Sequence, residues 1–578
     1  MFATRSAATA ALGVLLSASG TAAASDGVTV HLFEWQWDDV ARECETFLGP
    51  KGFSAVQVSP PNEHITGSEW WARYQPVSYQ LVSRSGNRAA FADMVQRCNA
   101  AGVAVYADAV INHTAALNGG GVGVGGTQWS YKDHPMYSSW DYHDTCTIRQ
   151  SDYADDPWRV RNCELSGLPD LDTGSDYVRD TLAGYLNDLT SLGVSGVRID
   201  AAKHMSPGDI AAVQSRVSGI DYWYQEVIDQ GGEAISAGEY VGNGAVTEFR
   251  YGSELARVFR DGNLAWLSEF GESWGFLASS DALVFVDNHD NQRGHGGGGG
   301  VITHKDGSLY DLANVFMLAW PYGRPRLMSS YAFTDTDAGP PDTPVHDGDS
   351  VNCFGDTWKC EHRWRPIANM VAFRNAVGGA PVTHWWDNGG DQIAFARDGA
   401  GFVVINREGN ALNRSFQTGL PAGEYCDVIH APMEDGTCSS PQVTVDGNGW
   451  AQISVDAMDA VALHVNARLQ SIGGSSAGES ADVAFTCQNG ETYMGQSVYV
   501  TGDGAELGDW RLADAVKLDP ADYPTWTGTI ALPAETTVDW KCVKREEADA
   551  TAGVVWEGGD NNTVQTSVEG NVSTTGSF

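Results

Sequence analysis

The chain has 578 residues, which is too long for one ordinary domain, so roughly two to four domains are expected. A hydrophobic content of 42% with 20 tryptophans excludes a largely disordered protein. The formal net charge of −39 repels nucleic acid and anionic membranes, which excludes both as partners. The same charge suits a protein from a salty habitat and an ordinary acidic secreted protein, and both alternatives stay open.

Residues 1–24 have the features of a secretory signal peptide. Arg5 precedes the apolar stretch AALGVLLSASG, and the small residues TAAAS provide a cleavage site near Ala24. No later segment has about 18 uninterrupted apolar residues, so we expect a secreted protein without a membrane anchor. Ten cysteines in an exported chain favour disulfides over a metal cluster. The predicted bridges are three local ones, Cys146–Cys163, Cys353–Cys360 and Cys426–Cys438, and two longer ones, Cys44–Cys98 and Cys487–Cys542.

Strand-like apolar runs alternate with helical patterns between residues 25 and 377. The eight runs, of which the sixth is the weakest, lie at 28–35, 55–61, 103–113, 196–202, 222–228, 245–250, 283–290 and 324–331. A helix is predicted from Ser175 as N-cap to Gly193, because apolar residues recur there at helical spacing. Eight strands alternating with helices predict an α/β fold, a (β/α)₈ TIM barrel.

Several segments depart from this alternation. Residues 113–170, between the third and fourth strands, are too many for a structureless loop, and we expect an inserted subdomain. Residues 378–468 have short alternating runs typical of an antiparallel β domain. A Ser/Gly-rich linker at 469–480 precedes residues 481–578, which again have an all-β pattern. The stretch GHGGGGG (294–300) predicts a mobile loop beside the seventh strand.

Four acidic residues fall at the carboxyl ends of predicted strands, where the active sites of such barrels lie. They are Asp108, Asp200, Glu226 and Asp290. Each alone could be a helix cap or a salt-bridge partner. Four on different strands of one barrel indicate chemistry, because clustering like charges costs folding free energy.

Two of these carboxyl groups fit the acetal chemistry of glycoside hydrolysis. Arg198 and Asp200 share one face of a strand, so the guanidinium is expected to favour the ionised form of Asp200 and to lower its pKa, as a nucleophile requires. Glu226 lies in YWYQEVI, among aromatic residues whose low polarity favours the protonated form that a general acid requires.

The motifs DAVINH (108–113), GVRIDAAKH (196–204), YQEVI (224–228) and FVDNHD (285–290) resemble, in order and spacing, the four signature regions of the α-amylase family, glycoside hydrolase family 13. With SPPNEH, WWARYQPVSY, PYGRPRLMSSY and CEHRWRPIANMVAFRN, residues 28–465 resemble the animal-type α-amylases.

The resemblance implies Asp200 as nucleophile, Glu226 as acid/base and Asp290 as a third carboxylate that holds and distorts the sugar. It also implies that six further side chains contact the substrate or support the site: Asp108, His113, Arg198, Lys203, His204 and His289. The configuration would be retained, with the two main carboxyl groups about 5–5.5 Å apart. Trp70, Trp71 and Tyr74, in EWWARYQ, are expected to line the cleft; core aromatic residues are the alternative.

Two bound ions follow from the same resemblance. A calcium ion would join the inserted subdomain to the barrel, through the Asn112 and Asp170 side chains and the Arg161 and His204 carbonyls, with Asp172 as a rival to Asp170. A chloride ion would be held by Arg198, Asn288 and Arg326. It would relieve repulsion between the two guanidinium groups; the alternative is that the carboxylates alone neutralise the arginines.

The segments VYVTGDGAELGDW, YPTWTGTIALP and VDWKCVKRE resemble the starch-binding module of carbohydrate-binding family 20, a β-sandwich. The resemblance implies one sugar site with Trp510, Lys541 and Trp556, and a second with Tyr493 and Trp526, in which Tyr523 is a weaker candidate. Trp540 is expected to be a core residue. The Cys487–Cys542 pairing departs from the fungal modules.

These inferences together predict a secreted, monomeric, endo-acting α-amylase that hydrolyses internal α-1,4 bonds. Its substrates would be starch, glycogen and maltooligosaccharides, and its module would bind raw starch granules. A cyclodextrin-forming transglycosylase is an alternative, although such enzymes carry a further β domain for which the chain is short. A maltogenic exo-enzyme and a non-catalytic glucan-binding protein are the others; the last requires a broken carboxylate set.

Overall fold

The computed structural model describes residues 27–348, 350–434, 437–439, 441–469, 480–534, 536–566 and 572–578. The predicted signal peptide and linker residues 470–479 lie outside the described residues. The chain divides into two compact units, residues 1–470 and 471–578.

The first unit contains the predicted barrel. Its eight parallel strands close into a cylinder in which each strand pairs with its neighbours in the chain and the last pairs with the first. The strands are Thr29–Leu32 (β1), Ala55–Val58 (β2), Ala104–Ala109 (β3), Gly196–Ile199 (β4), Tyr222–Gln225 (β5), Ala245–Thr247 (β6), Ala282–Val284 (β7) and Arg324–Ser329 (β8). Their near-complete burial is typical of a parallel sheet covered by helices.

Helices connect most of these strands. They are Trp37–Glu43 (α1), Arg88–Ala100 (α2), Asp176–Ser191 (α3), Pro207–Gln214 (α4), Phe249–Asp261 (α5), Ser308–Ala319 (α6) and Arg365–Val377 (α7). Helix α3 begins directly after Ser175, as predicted, although the Ser175 side chain makes no capping hydrogen bond. Between β5 and β6 the chain forms only short 3₁₀ turns at Ala237–Glu239 and Val241–Asn243.

The segment between β3 and β4 has secondary structure of its own, as the long gap predicted. It contains the hairpin Gly120–Val122 with Gln128–Ser130 and the short helices Asp152–Asp155 and Pro157–Asn162. An antiparallel bridge between His113 and Asp170 joins its two ends. The segment therefore leaves and re-enters the barrel at one place, at the rim of the cylinder.

An antiparallel β domain follows the barrel, as predicted. Its strands are Val382–Asp387 (β9), Gln392–Arg397 (β10), Gly401–Asn406 (β11), Leu412–Gln417 (β12), Gly423–Cys426 (β13), Gln442–Val445 (β14), Trp450–Val455 (β15) and Asp459–His464 (β16). One sheet has the order β9-β10-β11-β16 and the other the order β12-β15-β14-β13. Apolar residues of both sheets, including Phe402, Phe416 and Ile453, form its core.

The second unit is a β-sandwich. Its strands are Ser480–Gln488 (β17), Gln496–Gly502 (β18), Val516–Lys517 (β19), Asp519–Asp522 (β20), Thr525–Pro533 (β21), Thr537–Glu546 (β22), Val555–Trp556 (β23), Asn562–Gln565 (β24) and Val572–Ser577 (β25). The two sheets have the orders β20-β21-β17-β25 and β19-β18-β22-β23, with β24 also paired to β22. Trp540 lies in the core against Phe485, as predicted.

All five predicted disulfides are present: Cys44–Cys98, Cys146–Cys163, Cys353–Cys360, Cys426–Cys438 and Cys487–Cys542. None of the described helices combines the length and apolar character needed to span a bilayer.

Candidate active site

The carboxyl ends of the barrel strands surround a cleft of about 600 Å³. Asp200 directly follows β4 and Glu226 directly follows β5, whereas Asp290 lies on the turn beyond β7. These three carboxylates line the cleft. Asp108, the fourth predicted acid, lies in β3 beneath them and is fully buried.

One guanidinium group joins three of the four acids. Arg198 lies opposite Asp108 in the strand register. Its Nη1 donates to Asp108 Oδ1 at 2.6 Å and to Asp200 Oδ1 at 2.8 Å. Its Nη2 lies 2.8 Å from Glu226 Oε1. The predicted side-by-side placement of Arg198 and Asp200 is confirmed. The Arg198 guanidinium also holds Glu226 next to these two residues.

The predicted direction of the Asp200 pKa is wrong. Burial raises the pKa of Asp200 well above its ordinary value, and the neighbouring Glu226 and Asp108 carboxylates add to the rise, while Arg198 opposes it. Burial, with Glu226 and Asp108, also raises the pKa of Asp290 to about 7. One cation among several buried carboxylates cannot offset the loss of water around all of them.

Glu226 is held by polar contacts rather than by the aromatic surround that its sequence neighbours predicted. Its second oxygen, Oε2, accepts a hydrogen bond of 2.8 Å from the backbone N–H of Ala201. Ala201 has a left-handed backbone, with φ of 51°, which is strained for a residue with a Cβ. The strain directs this N–H from the end of β4 toward the carboxylate at the end of β5.

Aromatic rings and two histidines form one wall of the cleft. Trp70, Trp71 and Tyr74 line it, as expected, on a 3₁₀ turn over Trp70–Tyr74. Tyr74 donates from its hydroxyl to Asp108 Oδ2 at 3.0 Å and stacks on His289 with ring centres 5.2 Å apart.

Burial keeps the two histidines of this wall, His113 and His289, neutral. It lowers the pKa of His113 to about 4 and lowers that of His289 well below its ordinary value. A neutral imidazole adds no positive charge beside Arg198, and the His113 ring uses both nitrogens for hydrogen bonds to Asn112 and to the carbonyl of Tyr74.

Lys203 and His204, on the turn after β4, also line the cleft. Lys203 forms an ion pair with Glu233 and donates to the carbonyl of Ile228. The His204 ring contacts the carbonyl of Val160 through Nδ1 at 2.9 Å, which links the inserted segment to the barrel.

Two of the expected calcium ligands, Asn112 and Asp170, lie at this junction. The Asn112 and Asp170 side chains are brought together where the ends of the inserted segment pair. Asn112 Oδ1 and Asp170 Oδ1 are buried, and neither has a hydrogen-bond partner in the described part of the chain. Unsatisfied buried oxygens of this kind fit a hard cation. No set of three or more His, Cys, Asp and Glu side chains that could bind a metal occurs in the described ranges.

Of the expected chloride ligands, Arg326 lies beside a second group of unsatisfied polar atoms inside the barrel. Arg326 donates to Gln57 Oε1 at 2.9 Å and forms no ion pair with any described residue. Gln57 Nε2 and both ring nitrogens of His31 are buried without partners among the described residues. Asn288 turns its Oδ1 to the N–H groups of the turn after β7. Arg326 without a carboxylate partner, beside donors without an acceptor among the described residues, fits an anion, whereas Arg198 is already paired with three carboxylates.

In the module, the first predicted sugar site has the expected exposure. Trp556 is 41% exposed, and Trp510 and Lys541 are half-buried. Trp510 donates from its indole N–H to Asp503 Oδ1 at 2.7 Å, which fixes the ring.

The second predicted site needs a correction. Trp526 is only 3% exposed and packs in the core of the sandwich, so it has no free ring face for a sugar. Tyr493 and Tyr523 are 58% and 53% exposed. The Tyr523 hydroxyl accepts from the N–H of Thr492, next to Tyr493, at 3.2 Å, so these two rings form the exposed pair.

Several cleft residues were not predicted. The inserted segment contributes Tyr153 and Leu165, and the loop after β5 contributes Glu233. His295 lies in the glycine-rich stretch, whose composition predicted a mobile loop but no place in the cleft; Asp337 had no sequence signal.

Comparisons with known proteins agree with this geometry. Residues 54–226 match the model of the α-amylase catalytic domain, residues 384–466 that of the α-amylase C-terminal all-beta domain, and residues 480–576 that of the starch binding domain. An α-amylase of Streptomyces violaceus is 49% identical over 94% of this chain and 92% of its own length. One from Tribolium castaneum is 49% identical over 77% of this chain and 96% of its own length.

Among solved structures, a variant of α-amylase I from Eisenia fetida, in complex with maltohexaose, superposes with a TM-score of 0.72. It is 45% identical and covers 76% of this chain and 97% of its own. With a curated relative at this identity along almost the whole sequence, the chain belongs to the α-amylase family of glycoside hydrolases.

Proposed function

We propose that the protein is an endo-acting α-amylase that hydrolyses internal α-1,4-glucosidic bonds of starch, glycogen and maltooligosaccharides with retention of configuration. The observation that carries the proposal is the shared contact of Asp200 and Glu226 with Arg198 at the edge of one cleft. That contact brings the proposed nucleophile and the proposed proton donor to one end of the cleft, which supports the mechanism of a retaining glycosidase.

In the proposed reaction, Asp200 attacks the anomeric carbon and Glu226 donates a proton to the departing oxygen. A covalent glycosyl-enzyme forms, and Glu226 then accepts a proton from the water that releases it. Asp290 and the neutral imidazoles of His113 and His289 hold the hydroxyls of the sugar at the reaction centre. Tyr74 and Asp108 fix this wall and Arg198 from below.

The aromatic residues Trp70 and Trp71 support binding of a long glucan. They border the cleft on one side, and residues of the inserted segment, including Leu165, border it on another. A cleft with walls contributed by separate loops accommodates the interior of a chain as well as its end, which favours endo cleavage. The maltohexaose bound by the Eisenia fetida relative supports the same substrate class.

A calcium ion is proposed at Asn112, Asp170 and the carbonyls of Arg161 and His204. Bound there, it would supply charge that holds the inserted segment on the barrel, beside His204 of the cleft. Chelation is expected to lower the thermal stability of the first unit and to lower activity; an unchanged melting temperature after chelation contradicts the site.

A chloride ion is proposed between Arg198, Asn288 and Arg326. It would screen the guanidinium of Arg198 from Glu226 and so favour the protonated acid. Turnover measured in halide-free acetate is expected to be lower than in chloride, most strongly at alkaline pH. Equal turnover in the two buffers removes the proposal.

The module is proposed to bind raw starch granules through Trp510, Lys541 and Trp556 at one site and through Tyr493 with Tyr523 at the other. The match of residues 480–576 to the starch binding domain supports this role. Secretion is proposed from the leader-like residues 1–24 and supported by the five disulfides, which persist in oxidising compartments. We propose that the secreted protein is a monomer.

The deciding experiment is a product time course on soluble starch, with NMR detection of the first anomer released. An endo-acting, retaining enzyme first produces long oligosaccharides with an α reducing end. Short products alone from the earliest time contradict endo action, a β reducing end contradicts retention, and the absence of reducing sugar contradicts the activity.

A further inference from the structure

A buried arginine outside the cleft is used by none of the steps above. Arg293 lies on the turn after β7 and is 4% exposed. It has no carboxylate within ion-pair distance among the described residues, and its Nε and Nη2 have no hydrogen-bond partner there. Burying an unpaired charge costs several kcal/mol unless other contacts compensate for it. The contacts of Arg293 therefore indicate what the charge does.

Four aromatic rings surround the guanidinium. Its central carbon lies 4.2 Å from the ring centre of Phe333, 5.0 Å from those of Phe33 and Tyr331, and 5.8 Å from that of Trp70. Cation–π attraction is strongest where water is excluded, as it is here. The four rings belong to the end of β1, the turn that lines the cleft and the loop after β8, so one side chain binds three elements to the β7 turn.

The remaining donor of Arg293 is directed at the catalytic turn. Its Nη1 donates to the carbonyl of His289 at 2.9 Å. The next carbonyl, that of Asp290, accepts the N–H groups of Arg293 and of His295. The glycine-rich loop (294–300) therefore begins at the turn that the Arg293 side chain closes through its hydrogen bond to His289.

The four rings around Arg293 form an aromatic cage. Two of them also contact the His289 ring. Phe33 stacks on His289 with ring centres 4.9 Å apart, and Trp70 meets it edge-on at 5.5 Å. Two rings that contact the guanidinium therefore also contact a side chain of the cleft. Without the cation, the cage would lose its centre, and both the His289 ring and the Asp290 backbone would gain freedom.

We propose that Arg293 is a positioning residue for the reaction: its caged guanidinium fixes the His289–Asp290 turn and the root of the glycine-rich loop in the geometry that the transition state requires. The inference rests on the proposed function, because it assigns Asp290 to the substrate. Arg293 itself does not line the cleft, so it acts through these two residues.

The charge of Arg293 has a second effect on Asp290. Burial raises the pKa of Asp290, and Glu226 directly after β5 and Asp108 in β3 raise it further, while Arg198 in β4 and Arg293 lower it. The His289 ring, 3.3 Å from the carboxylate, is neutral. Removal of the Arg293 charge would therefore raise the pKa of Asp290 and move the acid limb of the pH–rate profile upward.

The test compares Arg293→Met, which keeps the length but loses the charge and the donor, with Arg293→Lys, which keeps the charge. Since displacement of a catalytic group by about 1 Å costs roughly 10²-fold, Arg293→Met is expected to lower kcat on soluble starch by about 30- to 100-fold, with KM little changed. Its acid limb should move to higher pH. Arg293→Lys is expected to lower kcat by less and to leave the acid limb in place.

Lys305→Met is the matched control. The Lys305 ammonium lies 3.7 Å from the ring centre of Phe333, one of the four rings around Arg293, and no hydrogen bond joins it to the turn among the described residues. It should retain wild-type kcat. A folded Arg293→Met with wild-type kcat and pH profile overturns the inference; if that variant does not fold, wild-type kinetics of Arg293→Lys overturn it. A wild-type chain without activity on starch would instead contradict the proposed function.

Discussion

The barrel cleft and the starch-binding module place their functional side chains in opposite environments. In the cleft, Asp200 and Glu226 are each only 7% exposed and are held by an arginine that is itself buried. In the module, Tyr493 and Tyr523 are more than half exposed and lie over an apolar core.

The difference fits the roles proposed for the two regions. Bond breaking requires charges whose interactions are not screened by water, and a closed barrel supplies that environment at a cost in desolvation. Binding a granule requires ring faces that meet a solid surface, so these rings cannot be part of the core. Substitution of a cleft carboxylate should therefore abolish catalysis. In the module, substitution of an exposed ring should weaken adsorption to starch, and substitution of a buried ring should unfold the sandwich.

The largest effect is expected in the cleft. Glu226→Gln should lower turnover of soluble starch by about 10³-fold, because an amide cannot donate the proton that a general acid supplies. Reducing-sugar release measures this loss. Adsorption to raw starch should not change, and Glu233→Gln, in the same cleft but paired with Lys203, should lose far less. Comparable losses in both variants would contradict the assignment of Glu226.

The next effect separates core rings from surface rings in the module. Trp526→Ala should destabilise the sandwich by about 3–5 kcal/mol, because it empties a buried site. Denaturant unfolding of the intact chain, followed by a probe in residues 480–578, measures it. Tyr523→Ala, at an exposed ring three residues earlier, should leave that transition nearly unchanged and weaken adsorption instead. The opposite result would restore Trp526 to the sugar site.

A smaller effect is expected at the first module site. Trp556→Ala should weaken adsorption to raw starch by about tenfold, equivalent to about 1.4 kcal/mol, through loss of a stacking face. Adsorption isotherms on granules measure this change, and turnover of soluble starch serves as the control. Wild-type adsorption would show that the ring does not meet the glucan.

The smallest effect concerns charge within the cleft. Asp108→Asn removes a buried carboxylate that raises the pKa of both Asp200 and Asp290. These two groups act as carboxylates, so activity falls as the pH drops through their pKa values. Lowering those values should move the acid limb of kcat/KM to lower pH. An upward shift would mean that Asp108 acts chiefly by orienting Arg198.

The sequence predicted the barrel because strand-like apolar runs alternate with helical patterns, and it predicted the carboxylates because acidic residues are conspicuous at the ends of buried apolar strands. Arg198 and Asp200 could be placed on one face from strand geometry alone. The pKa direction of Asp200 could not be predicted, because the sequence shows the arginine two residues away but not the depth of burial of the carboxylate, nor the Asp108 and Glu226 carboxylates that converge on the same guanidinium.

Exposed rings were harder to predict than buried charges. Tyr523 and Trp526 are three residues apart in YPTW, and nothing in that stretch shows which ring faces solvent. The structure resolves this, since Trp526 donates to the carbonyl of Gly490 inside the sandwich while Tyr523 lies on the turn before β21. Loop contributions such as that of Asp337 depend on how distant segments fold back, which local patterns do not contain.

The contact of Arg198 with three carboxylates has a consequence for any titration of this protein. Groups that interact so closely release their protons as one ensemble, and the inflections of a pH–rate curve belong to the ensemble rather than to a named side chain. Replacing any one member redistributes protons among the others. An apparent ionisation constant measured for a variant therefore describes a different set of microstates from that of the parent enzyme.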